Sequence, residues 1–147
     1  MEKFLLLAIF GIAMAYWEGI TVVYLRRALG ISDSQSNEEL PKKLSKKGYL
    51  FIDKVREGAT ILMLITLAFL VGETWVDIVV VFLWTFAFWD LFYYVFLYIL
   101  IKWPPKLSTI DVLFLIPCPW IAPVWVPVGI SLTTIITIAV LMLSSVL

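Results

Sequence analysis

The chain has 147 residues, and 63% of them are hydrophobic, against 45–50% in ordinary soluble domains. Eleven basic and eleven acidic residues cancel to a net charge of zero, so nothing steers the chain toward nucleic acid. A domain this small has too little interior to hide so much apolar surface, which excludes an ordinary soluble fold. The composition points to an all-α integral membrane protein, a small bundle of four (or five) transmembrane helices forming a single domain over 1–147. There is no histidine, which excludes imidazole-held haem, His-containing metal centres and a histidine base. Cys118 is alone and cannot form an internal disulfide. No metal and no cofactor is expected.

The first span is expected over 3–25. Its apolar run continues to Leu25 and closes on Arg26-Arg27, unlike a cleaved signal peptide, which has a shorter apolar region and no basic stop. About 22 residues at 1.5 Å each cross a hydrocarbon core of about 30 Å. The basic connection 26–50 follows. Within it Ser36 and Glu39 fit a capping box, or a short helix begins at Pro41 and ends at Gly48. The second span, 51–72, opens with Asp53, Lys54, Arg56 and Glu57, which are expected at headgroup level with their long side chains snorkelling to water. Gly72-Glu73-Thr74 makes a turn, and a third span covers 75–101 until Trp103-Pro104-Pro105 stops it.

The remaining stretch contains Pro117, Pro119, Pro123 and Pro127 in an apolar context. Each proline removes an amide donor, and in lipid a broken helix survives only where protein or water satisfies the freed groups. The expected arrangement is a re-entrant or interfacial segment at 111–119, with Asp111 capping a short helix, followed by a proline-marked last span at 120–143. The alternative is five spans, with 111–128 and 129–147 separate. Ten of the eleven basic residues fall in 26–56 or 102–106. With four spans these connections share one side, which the positive-inside rule makes cytoplasmic, with both termini outside the cell membrane.

Two carboxylates fall inside expected spans. Glu18 lies about 12 Å along its helix before Arg26, and Asp90 about 18 Å before Lys102. Each costs roughly 2.5–3.5 kcal/mol to insert, and intramembrane acids are functional candidates by default. The plainer alternative is an uncharged acid bonding helix to helix. No basic residue is expected deep enough to neutralise either one. Tyr93 and Tyr94 stand three and four residues after Asp90 and so can share its face, with Thr85 a marginal neighbour. The aromatics around Asp90 could wall a cavity for a lipid tail or an organic cation. The segment Pro117, Cys118, Pro119, Trp120, Pro123 and Pro127 is read as a broken helix whose freed backbone groups could coordinate an ion or substrate. The lone thiol of Cys118 has no catalytic partner.

Three functions follow from these residues. One is a cation- or proton-coupled transporter or permeation unit using Glu18 and Asp90, formed between subunits of a homo-oligomer because four helices enclose little. Another is a membrane enzyme or binder acting on a lipid or isoprenoid. The third is a non-catalytic scaffold or partner subunit. Membrane lipids are the expected surroundings, and no nucleic acid is expected.

Overall fold

The computed structural model describes residues 2–144. It is mostly helical, with α1 at Glu2–Ala28, α2 at Leu40–Lys46, α3 at Leu50–Val71, α4 at Trp75–Ile101 and α5 at Trp125–Leu143. Two short strands, β1 at Ile110–Phe114 and β2 at Trp120–Pro123, stand between α4 and α5. Three helices, α1, α4 and α5, are long and apolar enough to cross a membrane. The chain ends, to which the expected placement of the termini refers, fall partly on Met1 and 145–147, outside the described residues.

Helix α4 is central and packs against α1, α3 and α5. Its partners fix the directions. Lys3 at the start of α1 pairs with Asp77 at the start of α4, at 2.8 Å, while Val22 near the end of α1 clusters with Leu97 and Ile101. The two helices are therefore parallel. Helix α5 is antiparallel to α4, because Val124 and Val128 meet the Leu97–Ile101 end while Ile138 meets Val81 and Trp84. Helix α3 also runs against α4, with Ala68 in the Val81 cluster and Leu64 against Trp89. One end of the bundle thus carries the 72–74 turn, the start of α1 and the end of α5. The other, the loop end, carries 29–49 and 102–124.

The parallel pair approaches most closely at Gly11. A Cβ there would stand 2.8 Å from the Thr85 carbonyl oxygen and 3.1 Å from the Phe88 Cβ. Phe4 caps the contact edge-on against Trp84, whose indole donates to the Phe4 carbonyl at 2.8 Å.

The short helix in the basic connection starts one residue ahead of Pro41, which sits in its first turn where no amide donor is needed. Ser36 does not cap it. Gly48 follows at φ +76, the left-handed conformation that glycine enters without strain.

The expected helix break is corrected by the structure. Residues 110–123 form an antiparallel hairpin pairing Ile110 with Pro123, Asp111 with Ala122, Val112 with Ile121 and Phe114 with Trp120, with an irregularity between Val112 and Phe114. The prolines explain the choice. Pro117 and Pro119 fall in the connection and Pro123 ends a strand, positions where a missing donor is tolerated. Pro127 occupies the third position of α5, whose first amides have no intrahelical acceptor in any case. Helix α5 consequently begins at Trp125 rather than 120, and Asp111 caps no helix. Phe114 stacks on Phe86 at 6.2 Å, about four helical turns below the end of α4, so the hairpin descends along the bundle.

The Gly11 contact makes a direct prediction. Gly11→Ala should lower stability by about 1–3 kcal/mol through overpacking against backbone. Gly19→Ala, whose added Cβ would meet Phe96 at an ordinary 3.6 Å, should be nearly neutral. Thermal unfolding of both variants in the same detergent reads the difference.

Candidate functional site: a carboxylate cavity at the loop end

The hairpin's descent closes a narrow cavity of about 60 Å³ between α1, α3, α4 and β1. Five carboxyl groups line it: Glu18 from α1, Asp53 and Glu57 from α3, Asp90 from α4 and Asp111 from β1. Arg56, Asn37, Tyr93, Tyr94 and Trp89 complete its polar and aromatic wall.

Helical spacing explains why α3 turns charge inward. Its buried residues are Asp53, Glu57, Thr60, Leu64 and Ala68, one stripe at three- and four-residue steps. The acids therefore stand on the core stripe and turn into the bundle instead of snorkelling outward. Arg56 follows them inward, donating from Nε to Asp53 at 2.6 Å and from its terminal nitrogen to Glu18. Glu18 is thus neutralised by a guanidinium from α3. The sequence places Arg56 at the membrane edge, but the side chain is long enough to reach into the bundle.

Glu57 holds the hairpin. Its carboxylate accepts the Leu115 amide at 2.8 Å and the Ile116 amide at 3.0 Å, two donors with no partner in the β-ladder. Asp111 holds the other end of β1. It accepts from Asn37 Nδ2, from the Tyr94 hydroxyl and from the Val112 amide, each at 2.8 Å. Burial pushes the Asp111 carboxyl above its ordinary range, an effect that the Asn37 and Tyr94 hydrogen bonds oppose.

Asn37 is fixed in turn by Arg26, which bonds its amide oxygen and donates to the carbonyls of Ser32 at 2.7 Å and Gln35 at 3.1 Å. The Arg26 guanidinium lies 5.0 Å from the Trp103 ring centre, and the Trp103 indole donates to Gln35 at 2.9 Å. The basic stop of α1 and the aromatic stop of α4 are therefore one clasp over the cavity's loop end.

Asp90 is different. Its partner is the Ser131 hydroxyl of α5 at 2.8 Å, with no guanidinium or amide. Beside it the Trp89 indole nitrogen is buried without an acceptor. A cavity of this size has room for ordered water, which needs such polar partners.

The sequence-derived candidates divide accordingly. Glu18, Asp90, Tyr93 and Tyr94 line one cavity. Thr85 does not join them. Its hydroxyl bonds back to the Val81 carbonyl, buried beside Gly11. Pro117, Cys118, Pro119 and Trp120 lie exposed at the hairpin's far end and do not line the cavity. Pro123 and Pro127 stand at the base of α5. Sequence reasoning left out Asp53, Glu57 and Arg56, assigned to the headgroup zone, and Asp111, read as a cap. Asp77 is tied to Lys3 and to the Glu73 amide, and so lies at the opposite end of the bundle.

Among the described residues, no three Asp, Glu or Cys side chains converge closely enough to hold a metal ion. Comparison with protein-family models, curated proteins and solved structures finds no match.

Removing the Glu57 carboxylate isolates its effect. Glu57→Leu orphans two amides at about 1–3 kcal/mol each, so hydrogen exchange at Leu115 and Ile116 should accelerate at least tenfold. Glu57→Gln, which keeps one acceptor oxygen, should fall between parent and Leu. Amide exchange resolved by mass spectrometry checks the order.

Proposed function

We propose that the chain is a four-span membrane protein that takes up and passes protons through its carboxylate cavity. Helix α3 serves as the span that joins α1, α4 and α5, because Asp53, Arg56 and Glu57 face the bundle and most of the rest of its length is apolar. The basic connections at the loop end lie in the cytoplasm, and the outer ends of α1 and α5 lie outside.

The observation that carries the activity is the division of labour among the five acids. Glu18 and Asp53 are tied to Arg56, Glu57 to two amides, and Asp111 to an amide, a carboxamide and a tyrosine. Asp90 has only a hydroxyl. It can gain or lose a proton without breaking a structural clamp, and intramembrane acids of this kind mark proton relays. Tyr93 and Tyr94 stand between Asp90 and Asp111 along the cavity wall and offer hydroxyls for relay.

Access is from the loop end. Leu40 lines both the cavity and a surface depression shared with Gln35, Ser36, Glu39 and Lys43. Leu40 thus stands where the cavity and this surface depression meet, within the Leu29–Ile31–Leu44–Leu115 cluster. The absence of a three-ligand cluster among the described residues favours protons over divalent metal as the species carried. The cavity's small volume disfavours a lipid or isoprenoid substrate at the acids themselves.

Reconstitution in vesicles with a pH-sensitive dye inside tests this. An imposed pH gradient should collapse faster with the parent than in empty vesicles, and Asp90→Asn should slow it at least tenfold with little change in thermal stability. Parent flux equal to empty vesicles, or Asp90→Asn equal to parent, would sink the proposal. Flux driven by sodium or potassium instead would assign the cavity to a metal cation.

Orientation has its own test. Ser34→Cys in a Cys118→Ser background should resist an impermeant thiol reagent in intact cells and react once the membrane is opened. Labelling in intact cells would reverse the topology.

A further inference from the structure

A second site lies on the opposite side of Tyr94 from the acids. A groove of about 510 Å³ runs along α4 and under the base of α5, walled by Leu91, Val95, Ile99, Leu107, Val124 and Val128. Its lining is apolar except at one end, where Tyr98, Lys106 and the Pro104-Pro105 turn form the mouth. Lys102 stands just beyond the lining residues, on Tyr98: its backbone turns left-handed at φ 56, and its ammonium sits 5.2 Å from the Tyr98 ring centre. Neither lysine takes part in any ion pair among the described residues.

We infer that this groove binds an anionic phospholipid of the cytoplasmic leaflet, with its phosphate between Lys102 and Lys106 and one acyl chain along the α4 wall. The geometry matches both halves of such a ligand. From Ile99 down to Leu91 the groove follows α4 for about 12 Å, a length suited to the upper part of an extended chain, and the wall offers it almost no polar group. At the level where the apolar wall ends stand two unpaired ammonium groups and the Tyr98 ring. Basic pockets at this depth select anionic headgroups over zwitterionic ones. An apolar channel with charge confined to its mouth fits a lipid rather than a free phosphate, which would use the mouth and leave the wall open.

The inference rests on the membrane placement proposed above and not on proton passage. It also links the two sites, because Tyr94 walls the groove on one side and donates its hydroxyl to Asp111 on the other.

The test uses delipidated full-length protein titrated with phosphatidylglycerol or phosphatidylcholine of matched chains and read by native mass spectrometry. The parent should retain phosphatidylglycerol at least tenfold more tightly. K102Q/K106Q should abolish that preference, and Val128→Trp, which fills the groove, should abolish the tight adduct for both lipids. The loop variant K42Q/K43Q/K46Q/K47Q should keep the preference, since its lysines stand away from the groove. Equal retention of the two lipids by the parent overturns the inference. So does a preference that survives K102Q/K106Q, or one lost only in the loop variant. Displacement by inorganic phosphate alone would overturn the lipid assignment as well. Should Val128→Trp fail to fold, K102Q/K106Q decides, its changes being confined to exposed side chains. Lipid retention with no proton flux would leave this site standing and remove the proposed activity.

Discussion

Backbone amides taken out of water need acceptors, and much of this bundle is arranged around that requirement at one hairpin. The β1–β2 unit satisfies its inner edge by pairing, but its bulge and proline-rich connection leave Leu115 and Ile116 without ladder partners. Glu57 supplies both acceptors from a neighbouring helix. A carboxylate makes charge-assisted hydrogen bonds stronger than neutral ones, which justifies an acid at a position where burial alone argues against it. Once Glu57 faces inward, the stripe it shares with Asp53 brings a second acid with it, and Arg56 must turn in as counter-charge. The inward-facing charges of α3 are therefore consequences of the hairpin.

The same logic distinguishes clamps from candidates for chemistry. A buried acid with strong fixed donors is costly to protonate or release, because each donor would then be orphaned. Asp111 and Glu57 are in that position, and Glu18 and Asp53 share one guanidinium. Asp90 and the unpaired Trp89 indole are not. They are neighbours in sequence and both residues line the same cavity. Water can serve both without disturbing the frame.

Much of this architecture was legible in the chain, and the failures share a cause. Hydropathy and length identify the apolar helices, and Gly72-Glu73-Thr74 and Trp103-Pro104-Pro105 mark where they stop. Glu18 and Asp90 stand out as acids deep in apolar runs, with Tyr93 and Tyr94 one turn from Asp90. The hairpin was not legible, because prolines in an apolar run disrupt helix and strand alike and say only where donors are missing. The inward direction of Asp53, Arg56 and Glu57 was missed by reading a span as a distance from water, which turns terminal charges outward. Periodicity held the better signal. Asp53, Glu57, Thr60, Leu64 and Ala68 lie on one face, and charges that share a stripe with the core must face the core. Asp111 gave no such sign, since its burial depends on Asn37 and Tyr94, both distant in sequence.

The bundle is also unequal along its length, and the inequality constrains any path through it. Toward the outer end Gly11 lets α1 and α4 touch backbone to side chain, and Phe4, Trp84 and Phe88 fill the seam. Thr85, the polar group on this stretch of α4, spends its hydroxyl on its own helix. At the loop end the hairpin holds α3 and α4 apart and the acids fill the gap. Beyond Asp90, the seam between α1 and α4 is therefore closed by an aromatic layer. The polar continuation runs the other way, through the Ser131 hydroxyl that Asp90 already binds. Beyond Ser131, Thr134 and Thr137 continue along α5 into the groove that this helix forms with Val80 and Leu83 of α4. Helices α4 and α5 are thus the pair between which polar side chains continue beyond the cavity, while the α1–α4 seam is filled by aromatic rings.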